Sequence, residues 1–369
     1  MFDLSRREFL LRGSLLATGV GLCASTFNIE ALAAAPKTQR SLSDILSMTD
    51  VDMARESVVV QAAYRVIVEA AGQIRDGALR STALEILENP APTIAKGDAA
   101  ERLAKLKKAG LIDEARTSLF PPVANPEKSP QPFWSAPGSG YASHHAYPGG
   151  LATHTALNVV SAQALVKNYR DINGLVLDYD AAVGGEILHD LHKPWVFAWQ
   201  DDHSCRKEQP LAGTGEHHVL SIAESIARKV PAPVVTAQAC AHEHPATAAG
   251  EKLVVGWLKA ASIIAGVDPV AYGLIDKGGQ TLPLPRRIEG WVVHLADHDF
   301  VISTSACQWT AKALVDLAKE SYGLTDPQQL NAFRNYAMAN LTAMHLYGVL
   351  SSSGKDAFAK DVARIVKEA

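Results

Sequence analysis

Cysteine is scarce in this chain of 369 residues. There are four, and three of them, Cys205, Cys240 and Cys307, lie beyond the N-terminal apolar stretch. An odd number permits at most one internal disulfide, and nothing in the sequence demands one. Aromatic residues make up only 7% of the chain, which argues against a base-stacking surface. An excess of positive charge is also missing. Lys and Arg number 35 against 39 Asp and Glu, a formal net charge of -4, so bulk electrostatics does not point to nucleic acid. Alternating strand patterns and repeats of solenoid period are absent as well.

What remains is 47% hydrophobic and 20% charged. That composition excludes a disordered tail, a fibre and a polytopic membrane protein. The length suffices for one large domain or two of ordinary size. Histidine is distributed unevenly, for 12 of its 13 copies fall between His144 and His298.

The N-terminus reads Ser5-Arg6-Arg7-Glu8-Phe9-Leu10, followed by an apolar run from Gly13 to Phe27 and by Ala31-Leu32-Ala33. Twin arginines, a modest apolar stretch and a small-x-small site resemble a bacterial Tat export signal. The run is too short and too interrupted by Thr18, Gly19, Gly21 and Ser25 to anchor the chain stably in a membrane. The resemblance implies a leader over residues 1–33, cleavage after Ala33, the Tat machinery as a transient partner and a periplasmic protein. Export of a folded chain also fits a cofactor loaded beforehand.

Helical periodicity dominates the rest, so the fold class is all-α. Residues 34–125 form an N-terminal helical segment and linker, with a helix over Val51–Ala71 and a break at Asn89-Pro90-Ala91-Pro92. A Pro-, Gly- and Ser-rich stretch from Phe120 to Gly140 marks a soft boundary. Residues 126–350 then carry helices over Gly150–Lys167, Asp180–His189, Gly215–Arg228, Val234–His242, Leu253–Ile264, Ile288–Leu317 and Pro327–Leu346. Residues 351–369 close the chain as a C-terminal helix.

Within that region stands His144-His145-Ala146-Tyr147-Pro148-Gly149-Gly150-Leu151-Ala152-Thr153-His154-Thr155, followed 35 residues after His154 by His189-Asp190-Leu191-His192-Lys193. Next come Glu216-His217-His218, His242-Glu243-His244 and Ala296-Asp297-His298-Asp299. The order H…HD…H…H…D resembles the HD-domain superfamily of metal-dependent phosphohydrolases, over about Gly140 to Asp299. The resemblance implies a helical bundle in which His154, His189, Asp190 and a late Asp hold one metal. Asp190 would bridge to a second metal held by His217 and His242, with His218 or His244 as neighbouring candidates.

Imidazole and carboxylate donors suit Mn, Fe, Zn or Mg rather than a thiolate-seeking metal. Separate helices can each send one ligand into a shared cavity. Neighbouring residues on a helix point about 100° apart, so a His-Asp pair can serve two metals at once. A water between two cations becomes a hydroxide-like nucleophile near neutral pH. Asp190 and Lys193 are the expected catalytic residues, Lys193 as a handle for the substrate's anionic oxygens.

The late Asp is displaced from the family's pattern, where Ser262 stands instead. Asp297 keeps the Ala-Asp pairing and is preferred; Asp268 is the alternative, although it precedes Pro269 and reads as a helix N-cap. His144 and His145 are candidates for contact with substrate or with ligands. His203 reads as a solvated loop residue, and His345 as core packing near Tyr336 and Tyr347. Trp134, Trp195, Phe197 and Trp199 read as core or as a pocket lining beside the His-Asp pair. The leading function is an exported hydrolase acting on a small phosphoester. Alternatives are a di-iron oxygenase on the same ligand pattern, distinguished by its metal and oxygen dependence, and a non-catalytic binding module.

Overall fold

The computed structural model describes residues 39–140 and 143–367. The leader expected over residues 1–33 lies outside the described residues. The described residues lie within one compact unit, and the protein is all-α.

The chain enters through a two-residue strand β1 (Arg40–Ser41), which pairs in parallel with β4 (Val366–Lys367) at the other end. Helices α1 (Leu42–Ser47), α2 (Asp50–Glu56), α3 (Val58–Gly72), α4 (Gly77–Glu88) and α5 (Ala99–Lys108) follow. Each begins on a side-chain cap that accepts a first-turn N–H: Ser41, Thr49, Ser57, Asp76 and Asp98. The Ser57 cap divides the single helix expected over Val51–Ala71 into α2 and α3.

The central layer consists of α6 (Gly150–Asn173), α7 (Tyr179–Leu188), the short α8 (Lys193–Val196), α9 (Glu216–Ala227), α10 (Ala232–Ala239) and α11 (Ala248–Ala265). A hairpin of β2 (Pro210–Leu211) and β3 (Thr214–Gly215) leads into α9. Helix α7 is buried from Ala181 to Leu188, and α9 from Glu216 to Ile226. Helices buried on all sides belong in the middle of a bundle; α7 leads directly into the His189-Asp190 pair and α9 carries His217-His218. Around them pack α3, α6 and α10.

The short α12 (Pro269–Tyr272) precedes α13 (Glu289–Ala296), which passes through a 3₁₀ turn at Asp297–Asp299 into α14 (Phe300–Tyr322). The sequence pattern over Ile288–Leu317 is therefore one apolar run but two helices. Helices α15 (Pro327–Leu341) and α16 (Ala343–Ala363) are separated at Thr342, whose φ is 59° and whose side chain caps α16.

Among the described residues two large apolar cores result, with two small clusters where α13 meets α6, α7 and α10. One joins Val60, Ile67, Leu79 and Leu119 to Leu151, Ile187 and Leu220, so the segment before residue 126 shares its core with the histidine-rich helices. The other joins Ile45 and Met53 to Phe333, Met338 and Val362. Among the described residues no helix is long and apolar enough to cross a membrane.

Candidate metal centre

The Gly149-Gly150 pair sets the entry to α6. Gly149 has φ of 83°, and a Cβ there would meet Val60 Cγ2 at 2.3 Å; a Cβ on Gly150 would meet the His145 carbonyl oxygen at 1.8 Å. Only glycine lets the loop close this tightly on the helix. One turn in, His154 points inward and is completely buried.

Helix α7 ends at Leu188, which releases His189 and Asp190 into a turn against the same cavity. Asp190 Oδ2 lies 3.3 Å from His154 Nε2 and 3.1 Å from His189 Nε2. Asp297, at the C-cap of α13, brings Oδ1 to 3.1 Å from His154 Nε2 and 3.4 Å from His189 Nε2. The other Asp190 oxygen, Oδ1, faces His217 Nε2 at 3.4 Å. Two triads, His154–His189–Asp297 and Asp190–His217–His242, each bring their ligand atoms within 4.8 Å of one another, and either could hold a metal ion. Asp190 stands between them.

The donor set fits a cation on a further count. Asp190 Oδ1, His189 Nε2 and His217 Nε2 are buried without a properly directed hydrogen bond, a costly condition unless something else binds them. Burial pushes the Asp190 and Asp297 carboxyls up, yet the neighbouring imidazoles, joined at Asp190 by Lys193, outweigh it and hold both well below the usual carboxylate range. Burial alone would lower His189, but Asp190 and Asp297 raise it well above an ordinary imidazole. Two buried carboxylates thus attract positive charge, which the proton on His189 supplies and a metal would replace.

Opposite ring nitrogens are held by neighbours, the usual arrangement for metal-binding histidines. His189 Nδ1 donates to the Glu186 carbonyl at 2.7 Å. His217 Nδ1 bonds Glu208 Oε1, which also accepts the His217 N–H at 3.0 Å. His242 Nδ1 bonds Thr214 Oγ1 at 3.0 Å. Burial and the rings of His218 and His217 keep His242 well below the ordinary imidazole range, hence neutral. Asn158, one turn beyond His154, donates to Asp297 Oδ1 at 3.0 Å.

Lys193 is buried at the start of α8, with Nζ 2.5 Å from Asp190 Oδ2 and 3.5 Å from His144 Nε2. His144 lies with its ring centroid 5.1 Å from that of His154. His145, at φ of 50°, bonds Asp299 Oδ2 through Nε2 at 2.5 Å and Tyr147 Oη through Nδ1 at 2.9 Å. With His154 and Asp299 it makes a third group that could take a metal.

The remaining candidates are placed elsewhere. Asp268 caps α12 by accepting the Ala271 N–H at 2.7 Å, on the surface. His218 stacks on His242 with centroids 4.1 Å apart and bonds the Ala239 carbonyl at 3.2 Å; burial drops its pKa to about 3. His244 turns away toward His294. His203, read as a solvated loop residue, is buried and bonds Asp50 Oδ2 at 3.0 Å, because the loop folds under α15. His345 is half-exposed and pairs with Asp361 at 2.6 Å rather than packing in the core. Trp195 and Phe197 are core residues. Sequence reasoning missed Glu208, Thr214 and Asn158. Only Asn158 carried a signal, the four-residue spacing from His154 that puts both on one helix face.

The chain is 23% identical over 293 residues to dihydroneopterin 2′,3′-cyclic phosphate phosphodiesterase of Methanocaldococcus jannaschii, covering 78% of this chain and 90% of that protein. It is thus distantly related to a phosphodiesterase. No protein-family model matches the chain, and no solved structure matches it.

Proposed function

We propose that the protein is a metal-dependent phosphohydrolase of the HD type, acting on a small phosphoester. A small cyclic phosphodiester is the first substrate class to try, by analogy with the relative's name. The observation that carries this reading is Asp190, whose Oδ2 faces His154 and His189 while its Oδ1 faces His217. In this reading His154, His189, Asp190 and Asp297 hold one divalent cation, and Asp190, His217 and His242 hold another, drawn from Mn, Fe, Zn and Mg. Divalent cations there supply the activation of water and the charge neutralisation that phosphoryl transfer asks for.

The chain's own part is positioning. Lys193 carries a fixed positive charge into a dry site, where it meets the substrate's anionic oxygens. His144 has a pKa held well below that of an ordinary imidazole by burial and by Lys193, so it offers a neutral ring at the substrate's edge. Glu208, Thr214 and Asn158 fix the orientation of the rings and of Asp297.

The test is hydrolysis of bis-p-nitrophenyl phosphate and of a nucleoside 2′,3′-cyclic phosphate by protein reloaded with Mn²⁺ or Zn²⁺. Turnover that needs the metal and vanishes in Asp190→Asn is expected. A metal-loaded protein that leaves every phosphoester intact, or one that consumes oxygen with two bound irons, overturns the reading. The Arg6-Arg7 leader supports a periplasmic site of action reached through the Tat machinery. An Arg6→Lys/Arg7→Lys variant retained in the cytoplasm is the expected result of fractionation.

A further inference from the structure

Three histidines outside both triads converge beside the loop between α10 and α11. His294 and His298 are four residues apart, where α13 runs into its 3₁₀ turn, and their ring centroids lie 4.2 Å apart. Imidazoles at that spacing project from one helical face, the arrangement in which helices chelate first-row metals. His244 reaches them from the loop after α10, with its centroid 4.8 Å from that of His294.

The hydrogen bonds fix which nitrogen is available. His294 Nδ1 donates to the Ala241 carbonyl at 2.9 Å, and His298 Nδ1 donates to the His294 carbonyl. Both rings therefore present a bare Nε2 lone pair, with the other nitrogen anchored on backbone as metal-binding histidines require. Burial and the two neighbouring rings hold His294 below the ordinary imidazole range, which favours the neutral ligand form. His244 is the loosest of the three. Its Nδ1 accepts only a long bond of 3.3 Å from the Ala246 N–H, and about a third of its side chain is exposed. The trio is more open than the central triads, whose ligand atoms lie within 4.8 Å.

We propose that His244, His294 and His298 form a peripheral site for a late first-row divalent cation such as Zn²⁺, Ni²⁺ or Cu²⁺, with water completing the shell. Ligation by three imidazoles favours these metals over Mg²⁺ and Mn²⁺. Bare lone pairs disfavour an anion, the other ligand a histidine cluster can take. The position gives the site a structural effect: the cation ties the loop that delivers His242 to the helix that delivers Asp297. It stands whatever the central pair hydrolyses.

The experiment counts bound Zn²⁺ by mass spectrometry after full-length protein is dialysed against micromolar Zn²⁺. Wild type is compared with Asp190→Asn, with His294→Gln, and with His244→Ala/His294→Gln. Glutamine keeps the bond to the Ala241 carbonyl, and circular dichroism checks the fold. Both histidine variants are expected to hold one equivalent fewer than wild type, whereas Asp190→Asn keeps the peripheral equivalent. Cu²⁺ added to Asp190→Asn should show imidazole nitrogen couplings by electron paramagnetic resonance that disappear when His244 and His294 are also replaced. An unchanged metal count in the folded histidine variants overturns the proposal. So does inorganic phosphate, rather than Zn²⁺, raising the melting temperature of wild type but not of the double variant.

Discussion

The Asn158 amide donates to Asp297 Oδ1 at 3.0 Å while lying 3.2 Å from His154 Nε2, one helical turn away on α6. One side chain on α6 thereby orients a carboxylate that arrives from α13, a separation of 139 residues in the chain. Because Asn158 Oδ1 finds no partner of its own, the residue serves the site by its amide alone. Asn158→Ala should fold and yet bind metal about 10- to 100-fold more weakly, the usual cost of losing an outer-shell partner. Equilibrium dialysis against Mn²⁺ or Zn²⁺ measures it, and unchanged affinity refutes it.

Asp297 and Asp268 should separate cleanly. Asp297→Asn is expected to lose metal with the fold intact, as the residue is buried among His154 and His189. Asp268→Ala should keep full metal content and lose about 1 kcal/mol of stability, the value of a helix N-cap. Metal analysis and urea denaturation of the two variants decide the matter; metal loss in Asp268→Ala would contradict the geometry.

Glu224 should be a point of acid sensitivity. Its buried carboxylate accepts from Thr93 Oγ1 at 2.6 Å, the Ile94 N–H at 3.0 Å, Arg228 Nε at 2.7 Å and His192 Nε2 at 3.3 Å. Burial alone would raise its pKa, but His192, Thr93 and Arg228 bring it down to about 2 from 4.5. The folded value lies below the unfolded one, so the stabilisation is complete above 4.5 and is lost as pH falls toward 2. Glu224→Gln should cost about 3–5 kcal/mol at neutral pH, since Arg228 is left without its charge partner. The penalty should shrink on acidification. A pH-independent difference in urea midpoints would rule out this origin.

His203 acts in the opposite direction. Its hydrogen bond to Asp50 raises its pKa above 6.5 against the effect of burial. The folded value exceeds the unfolded one, so the contribution is complete below 6.5 and fades as pH climbs through the raised value. His203→Gln should therefore destabilise more at about pH 5.5 than at about pH 8.5. Paired melts at the two pH values provide the check, and an equal loss at both would dismiss the ion pair.

The sequence by itself determined the helical class and most element positions, because a 3.6-residue apolar period and local caps such as Asp98, Asp178 and Asp326 act within a single segment. Its resemblance to the HD-domain order also picked out His154, His189, Asp190, His217 and His242, which the fold brings together. The breaks at Ser57, Asp297 and Thr342 were hidden, for an apolar run reads the same on both sides of a turn that neighbouring helices impose. Which Asp completes the first triad was a choice between Asp268 and Asp297 that only tertiary structure could make. A surface cap and a buried carboxylate differ in what surrounds them. Glu208 and Thr214 stand behind His217 and His242 for the same reason, as does Asp50 behind His203 across 153 residues. Ring orientation and burial are set by contacts between distant segments, and those exist only once the chain has folded.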